Sequence, residues 1–415
     1  MKERRIVITG IGAVSCLGNS WKTTWAGLIG GKSGIGRITR FDPAGLPDLA
    51  GEVRGLTLED VMPKEERRMA RSIRFAVAAA DEAMKQAGLP RRMEECGMDP
   101  FRFGALIASA AGGVEEYERH LEVLDRRGPG GVSAFFVPKF MLNAASGTLA
   151  IRYGLRGPNY SPASACASGS HAIGEGMWMI RRGDADLMLA GGTEACLTRL
   201  MMSGFHSLTA LSCHPDPARA CRPFDRDRDG FVLSEGAAVL VLEEAEHARK
   251  RGAGILAELA GYGATCDSGH ITAPDPEAEG TVHAMRTALT QADCPPEKID
   301  CISAHGTATI ANDRCEARAI RKTFGPLTDR IKVSAIKSMI GHSLGASGAL
   351  SAAAAVQTLR TGIVPPTLNF ENPDPECELD VTPNQAVRID PEAVMTNSLG
   401  FGGHNAALVF RRWKG

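Results

Sequence analysis

The sequence predicts an α/β protein made of two similar halves, and three observations carry the prediction. Short apolar runs alternate with amphipathic stretches of helical period, the pattern of strands buried on both faces beneath packed helices. The same order of elements occurs twice along the chain. No low-complexity segment and no long linker interrupts the alternation.

The chain enters on a strand, Ile6-Val7-Ile8-Thr9-Gly10. In the first half an amphipathic helix over 73–87 precedes a buried strand over 104–109, which ends in Ala110-Ala111-Gly112. The second half repeats this with a helix over 280–292 and a strand over 300–304, followed by His305-Gly306-Thr307. Ala167-Ser168-Gly169 opens a helix ending near Arg182, and Ala346-Ser347-Gly348 opens another ending near Arg360. Strands over 187–190 and 238–242 close one half, and strands over 393–396 and 406–410 close the other. Between them a charged helix over 243–251 stops at Gly252 before a strand over 255–260, so the halves are expected at 1–252 and 253–415.

At 415 residues, 44% hydrophobic and 23% charged, the composition is that of an ordinary globular protein. A net charge of −1 gives no global basic excess for nucleic acid, so a charged partner must meet a local patch. Eleven cysteines, an odd number without a C-x-x-C pair, argue against a disulfide framework and a zinc site, and for a reducing, cytoplasmic setting. The most apolar helical stretch, 349–359, is too short to cross a bilayer, and the N-terminal strand is unlike a signal peptide.

Cys166, in Ser164-Ala165-Cys166-Ala167-Ser168-Gly169, is expected at a helix N-terminus. Unpartnered N–H groups and the macrodipole there favour thiolate, lowering a pKa that starts at about 8.5. The second half carries His305 in His305-Gly306-Thr307, Lys337 and His342 in one short stretch, and a glycine-rich Gly400-Phe401-Gly402-Gly403. A site between the halves would collect Cys166 from one and the two histidines from the other. Two motifs fail on inspection. Gly10-Ile11-Gly12 follows a strand but lacks the third glycine of a dinucleotide fingerprint. Asp225-Arg226-Asp227-Arg228-Asp229-Gly230 begins like a calcium loop, but Gly236 stands where a bidentate glutamate belongs, which predicts a turn held by ion pairs. The run Lys64-Glu65-Glu66-Arg67-Arg68 reads either as a solvated helix face or as a docking patch for an acidic partner.

Taken together, the motifs resemble the β-ketoacyl-acyl carrier protein synthases, closest to the type II elongating enzyme, over essentially the whole chain. They include Pro158-Asn159-Tyr160-Ser161 before the cysteine, Gly191-Gly192-Thr193-Glu194, Arg222-Pro223-Phe224-Asp225 and His305-Gly306-Thr307-Ala308-Thr309 with Asn312-Asp313 and Glu316. Lys337-Ser338-Met339 leading to Gly341-His342, and Asn397-Ser398-Leu399-Gly400-Phe401-Gly402-Gly403, complete the set. The resemblance implies a thiolase-like fold, duplicated α/β halves in a five-layer αβαβα sandwich, usually a homodimer. It implies that Cys166 takes an acyl group from the phosphopantetheine thioester of an acyl carrier protein, and that malonyl carrier protein then decarboxylates to extend the chain by two carbons. No cofactor or metal is expected.

By the same resemblance, the N–H groups of Cys166 and Phe401 form an oxyanion hole, and Phe401 gates the acyl pocket. His305 and His342 donate to the developing enolate while Lys337 orients them. Glu316 and Asp313 support that network, Thr307 and Thr309 meet the pantetheine arm, and Lys64, Arg67 and Arg68 match the carrier-docking patch. The chain departs from common patterns at His404, at Ala308 in place of glycine, and at His214 in place of an arginine. The alternatives are a ketosynthase subunit of a type II polyketide or aryl polyene pathway, and a non-catalytic chain-length subunit of a heterodimer, against which the intact Cys166 speaks. A degradative thiolase would present a second cysteine where His305 and His342 stand.

Overall fold

Ten strands join into one continuous sheet in the computed structural model, which describes residues 4–58, 63–93 and 97–415. In chain order they are β1 (Ile6–Val14), β2 (Phe103–Ala108), β3 (Asn159–Tyr160), β4 (Leu187–Glu194), β5 (Gly236–Glu244), β6 (Ala257–Cys266), β7 (Ile299–Ser303), β8 (Lys332–Ser334), β9 (Ala393–Gly400) and β10 (His404–Arg411). Across the sheet the order is β8-β7-β9-β10-β6-β1-β5-β4-β2-β3, the same topology read inward from either end. Each half has three parallel strands at its outer edge and two antiparallel strands inside. The halves meet where Ile6–Ile8 of β1 pairs antiparallel with Ala257–Leu259 of β6.

Five helices define the layers: α1 (Arg71–Gln86), α2 (Ser168–Arg182), α3 (Glu279–Gln291), α4 (Ile310–Phe324) and α5 (Ser347–Thr361). Strand alternation sorts the side chains between them. Ala238, Leu240 and Leu242 of β5 enter a central core with α2 and α5, while Ala237, Val239 and Val241 meet α1. In β10, Ala406, Leu408 and Phe410 face the same central core, and Ala407 and Val409 face α3 and α4. The layers are therefore helix, sheet, paired helices, sheet, helix. The alanines of α5 give high helix propensity and let it lie buried on nearly every side until Gly362 caps it at φ 67°. Leu240 is fully buried, and truncating such a core residue to alanine costs about 2–5 kcal/mol.

The glycines of the failed dinucleotide motif have a packing role. A Cβ at Gly10 or Gly12 would lie 2.1 or 1.9 Å from backbone oxygens of α1, and Gly261 and Gly263 repeat the arrangement at 2.1 and 2.0 Å from α3. The calcium-like segment is a structural turn. Buried Asp225 accepts the N–H groups of Glu371 and Asn372 at 2.7 Å, and Arg228 bonds Asp374 at 2.7 Å.

Three expected boundaries differ. Glu243 and Glu244 belong to β5 rather than to a helix, because Glu243 is buried and accepts from Thr9, His247 and Arg251 at 2.9, 2.6 and 2.6 Å. The helical turn is Ala245–Lys250, and the next strand begins at Ala257 and runs on to Cys266. β9 continues past Thr396 to Gly400, where the Asn397 side-chain amide N–H and the Ser398 hydroxyl find partners inside the protein. Asn397 donates to Glu316 at 3.2 Å, and the hydroxyls of Ser398 and Ser170 meet at 2.8 Å.

Candidate active site

Cys166 lies in a 3₁₀ turn, Ala165–Ala167, immediately before α2. Ala165 holds φ at 48°, a left-handed conformation that costs a non-glycine residue of order 1 kcal/mol. Ser168 fixes the turn by accepting the Ser164 N–H at 2.8 Å and donating to the Ala165 carbonyl at 2.6 Å. The expected lowering of the thiol pKa is not found. Burial pushes it up to about 11, against opposing pulls from Lys337 and from the N–H groups of Phe401 and Cys166. The sequence showed the helix start but not the depth of the site, and desolvation outweighs the dipole.

The histidines come from the second half. His342 Nε2 is 3.1 Å from Cys166 Sγ, and its Nδ1 is 2.9 Å from Ser347 Oγ. The His305 ring stands nearly perpendicular to it at 5.4 Å. Glu316 accepts the N–H groups of His305 and Gly306, both at 2.8 Å, which fixes the loop after β7. Lys337 donates to the His305 carbonyl at 2.5 Å and approaches its Nδ1 at 3.4 Å. It was expected to orient both histidines; it bonds His305 alone. With Nδ1 facing an ammonium, the imidazole proton belongs on Nε2. Burial, reinforced by Lys337, holds both imidazoles well below their ordinary range, so both are neutral at pH 7. Burial also lowers Lys337, whereas the Glu316 carboxylate opposes that shift.

Asp313 accepts from the N–H groups of Thr307 and Phe224 at 3.1 and 2.7 Å, with Arg228 3.5 Å away. The Thr307 and Thr309 hydroxyls are 2.9 Å apart across Ala308, which takes φ 67° where a glycine is more common. Cys166, His305, His342, Thr307, Thr309 and Phe401 all line one cavity of about 370 Å³. Gly400 lets β9 pass close to the nucleophile turn: a Cβ there would sit 2.7 Å from Ser164 O and 3.2 Å from Cys166 N. Beyond Phe401, Gly402 and Gly403 take φ 88° and 74°, left-handed values that glycine adopts without strain.

The sulfur and imidazole nitrogens of Cys166, His305 and His342 lie within 4.8 Å of one another, close enough for a soft cation to bridge. The Lys337 ammonium beside His305 opposes a dication there. Lys64, Arg67 and Arg68 lie exposed on the surface, outside the cavity, with Arg68 over the Phe135 ring at 4.7 Å. His214 lines a separate hollow of about 240 Å³ with Cys213 and His206, and His404 opens β10 opposite Cys266. Sequence reasoning missed Ser347 and Glu194. The Ala-Ser-Gly echo of the two helix starts contains Ser347, and Glu194 stood in a quoted motif without a chemical role.

Two mirrored α/β halves around a buried helix pair constitute the thiolase-like fold, and a buried cysteine with two imidazoles and a lysine is the equipment of a thiol acyltransferase. Residues 3–248 match the model of the beta-ketoacyl synthase N-terminal domain, and residues 256–371 that of the C-terminal domain. The 3-oxoacyl-[acyl-carrier-protein] synthase 2 of Staphylococcus aureus (strain COL) is 45% identical over 416 residues, covering 100% of this chain and 99% of the relative. A beta-ketoacyl synthase from Burkholderia phymatum STM815 superposes with a TM-score of 0.92 at 37% identity, covering 99% of this chain and 100% of its own. A type II polyketide ketosynthase, solved in complex with its acyl-carrier protein and bound to the hexaketide, gives 0.90 at 33%, covering 99% and 100%. The chain belongs to the β-ketoacyl synthase family, whose members are condensing acyltransferases.

Proposed function

We propose that the protein is the elongating condensing enzyme of fatty acid synthesis, carrying out decarboxylative Claisen condensation of malonyl-acyl carrier protein with an acyl group held on Cys166. The observation that carries this reading is the His342 Nε2 to Cys166 Sγ contact of 3.1 Å at the end of the shared cavity. The Cys166 sulfur attacks the acyl thioester, the C–S bond to pantetheine breaks, and the thiol proton ends on the departing sulfur. We assign the oxyanion to the N–H groups of Cys166 and Phe401, both of which oppose the upward shift of the thiol. Thr307 and Thr309 offer hydroxyls to the incoming arm. Malonyl thioester then loses carbon dioxide, and its enolate oxygen accepts from the Nε2–H groups of His305 and His342. The enolate carbon attacks the acyl-cysteine, releasing 3-oxoacyl carrier protein and the Cys166 thiolate. Lys337, Glu316 and Asp313 hold the histidine and threonine loops. The chemistry requires no cofactor and no metal.

The acyl carrier protein is the partner, as it is for the polyketide ketosynthase. Lys64, Arg67 and Arg68 supply an exposed cationic patch for its acidic surface. We read the assembly as a homodimer: edge strand β3 is exposed, and Tyr117, Phe135, Val137, Phe140 and Met141 are all at least 39% exposed, a clustering that suits a second copy. The halves divide at 252/253 and the setting is cytoplasmic; no helix among the described residues is long and apolar enough to cross a membrane. The 45% identity to a 3-oxoacyl-[acyl-carrier-protein] synthase 2, against 33% to the polyketide ketosynthase, favours fatty acid elongation over the polyketide and aryl polyene alternative. The intact Cys166, His305 and His342 set disfavours a non-catalytic chain-length subunit. Purified enzyme mixed with saturated acyl- and malonyl-carrier proteins should yield 3-oxoacyl carrier protein without a second subunit. A requirement for a heterodimer mate would overturn the assignment.

A further inference from the structure

Glu194, the last residue of β4, is fully buried, yet its four partners are all neutral donors. Oε1 accepts from the Ser109 hydroxyl at 2.8 Å and the Ala111 N–H at 3.2 Å; Oε2 accepts from the N–H groups of Ala110 at 2.8 Å and Gly345 at 3.0 Å. These donors belong to two different loops. Ser109–Gly112 follows β2 and packs its alanines into the apolar group that holds Cys166, and Gly345 lies three residues after His342.

The duplication gives this contact its meaning. The 3₁₀ turn Leu344–Ala346 precedes α5 just as Ala165–Ala167 precedes α2, and Leu344 takes φ 40° where Ala165 takes 48°. Gly345 is thus the counterpart of Cys166. The counterpart of Glu194 is Gly400, the last residue of β9, which passes the Cys166 turn. In the first half the backbone N–H of the turn faces the sulfur; in the second it is bonded to a carboxylate.

The geometry points to Glu194 as a positioning residue: its carboxylate binds the Gly345 N–H, the second half's counterpart of the Cys166 N–H, together with donors of Ser109–Ala111, and so ties the His342 loop to the loop after β2. The inference rests on the assignment of Cys166 and His342 above. Only an ionised carboxylate accepts from all four donors; a carboxylic acid or carboxamide turns a donor toward them. Burial pushes Glu194 up to about 7, so its ionisation falls within a workable pH range. The titratable groups that feel its charge are Cys166 and Cys196, with His342 on the loop it holds.

The test uses full-length Glu194→Gln and Glu194→Asp beside wild type and Cys166→Ala, with two readouts over pH 5.5–8.5: acyl-enzyme mass with acyl carrier protein, and carbon dioxide release from malonyl carrier protein. Glu194→Gln should acylate within about threefold of wild type but decarboxylate about 100-fold more slowly, the scale expected from misplacing a positioned group. Wild-type decarboxylation should rise with pH through about 7, Glu194→Gln should lack that limb, and Glu194→Asp should restore part of it. Decarboxylation by Glu194→Gln at the wild-type rate, or equal loss of both half-reactions, would overturn the inference. If Glu194→Gln does not fold, a wild-type decarboxylation profile flat from pH 6 to 8 does so as well. Acylation of Cys166→Ala, or none of wild type, would instead defeat the underlying assignment.

Discussion

The turns at Ala165–Ala167 and Leu344–Ala346 have the same backbone and opposite uses. Both are 3₁₀ turns entered through a left-handed non-glycine residue, and both open a helix of the central layer. One carries a thiol facing a cavity with two imidazoles; the other carries Gly345 pressed against Ala110 and Glu194. Catalytic capacity here does not come from the turn geometry, which both share, but from what the crossing strand brings. β9 brings Gly400 and the Phe401 N–H, and β4 brings a carboxylate.

The comparison can be broken at either turn. The largest effect is expected for Cys166→Ala, which removes the nucleophile and should lower condensation by about 10⁴-fold or more with an unchanged circular dichroism spectrum. His342→Ala should slow malonyl decarboxylation by about 10²–10³-fold and acyl transfer far less, read by carbon dioxide release against acyl-enzyme mass. Equal losses would mean that the imidazole serves the thiol. At the second turn, Gly345→Ala puts a Cβ 2.6 Å from Ala110 N and should lower stability by about 1–3 kcal/mol in denaturant unfolding. The thiol itself sharpens the contrast. Because burial raises it to about 11, Cys166 alkylation by iodoacetamide should accelerate about tenfold per pH unit between about pH 7 and 9, whereas a dipole-lowered thiol would react at a flat rate. The smallest effect belongs to Ala308→Gly: relief of φ 67° offsets the loss of a buried methyl, leaving a net change within about 1 kcal/mol in the same unfolding assay.

Much of this was legible in the sequence because duplication leaves a local record. The apolar runs located most strands, and the paired Ala-Ser-Gly starts located α2 and α5 with Cys166 ahead of one of them. His305, His342 and Phe401 were readable as residues beside glycine in loops, and Lys337 by its place five residues before His342. What was not legible depends on burial. The thiol shift reverses sign because the depth of Cys166 is a tertiary property, and the single-sided grip of Lys337 on His305 depends on side-chain direction. Asn397 broke the apolar pattern inside its strand because its partner Glu316 lies far back along the chain, and Glu243 did so because Thr9 of β1 bonds it across the sheet. Glu194 was hidden for the same reason, since its donors come from residues 109–111 and 345.

The account stands most directly on the covalent step at Cys166. Intact-protein mass should be measured after mixing wild type and Cys166→Ala with acyl carrier proteins loaded with chains of increasing length. The account predicts an acyl adduct confined to wild type, largest over a defined range of chain lengths, and discharged as two-carbon-longer 3-oxoacyl carrier protein when malonyl carrier protein is added. An adduct of equal size on Cys166→Ala, or none on wild type with any chain, would contradict it.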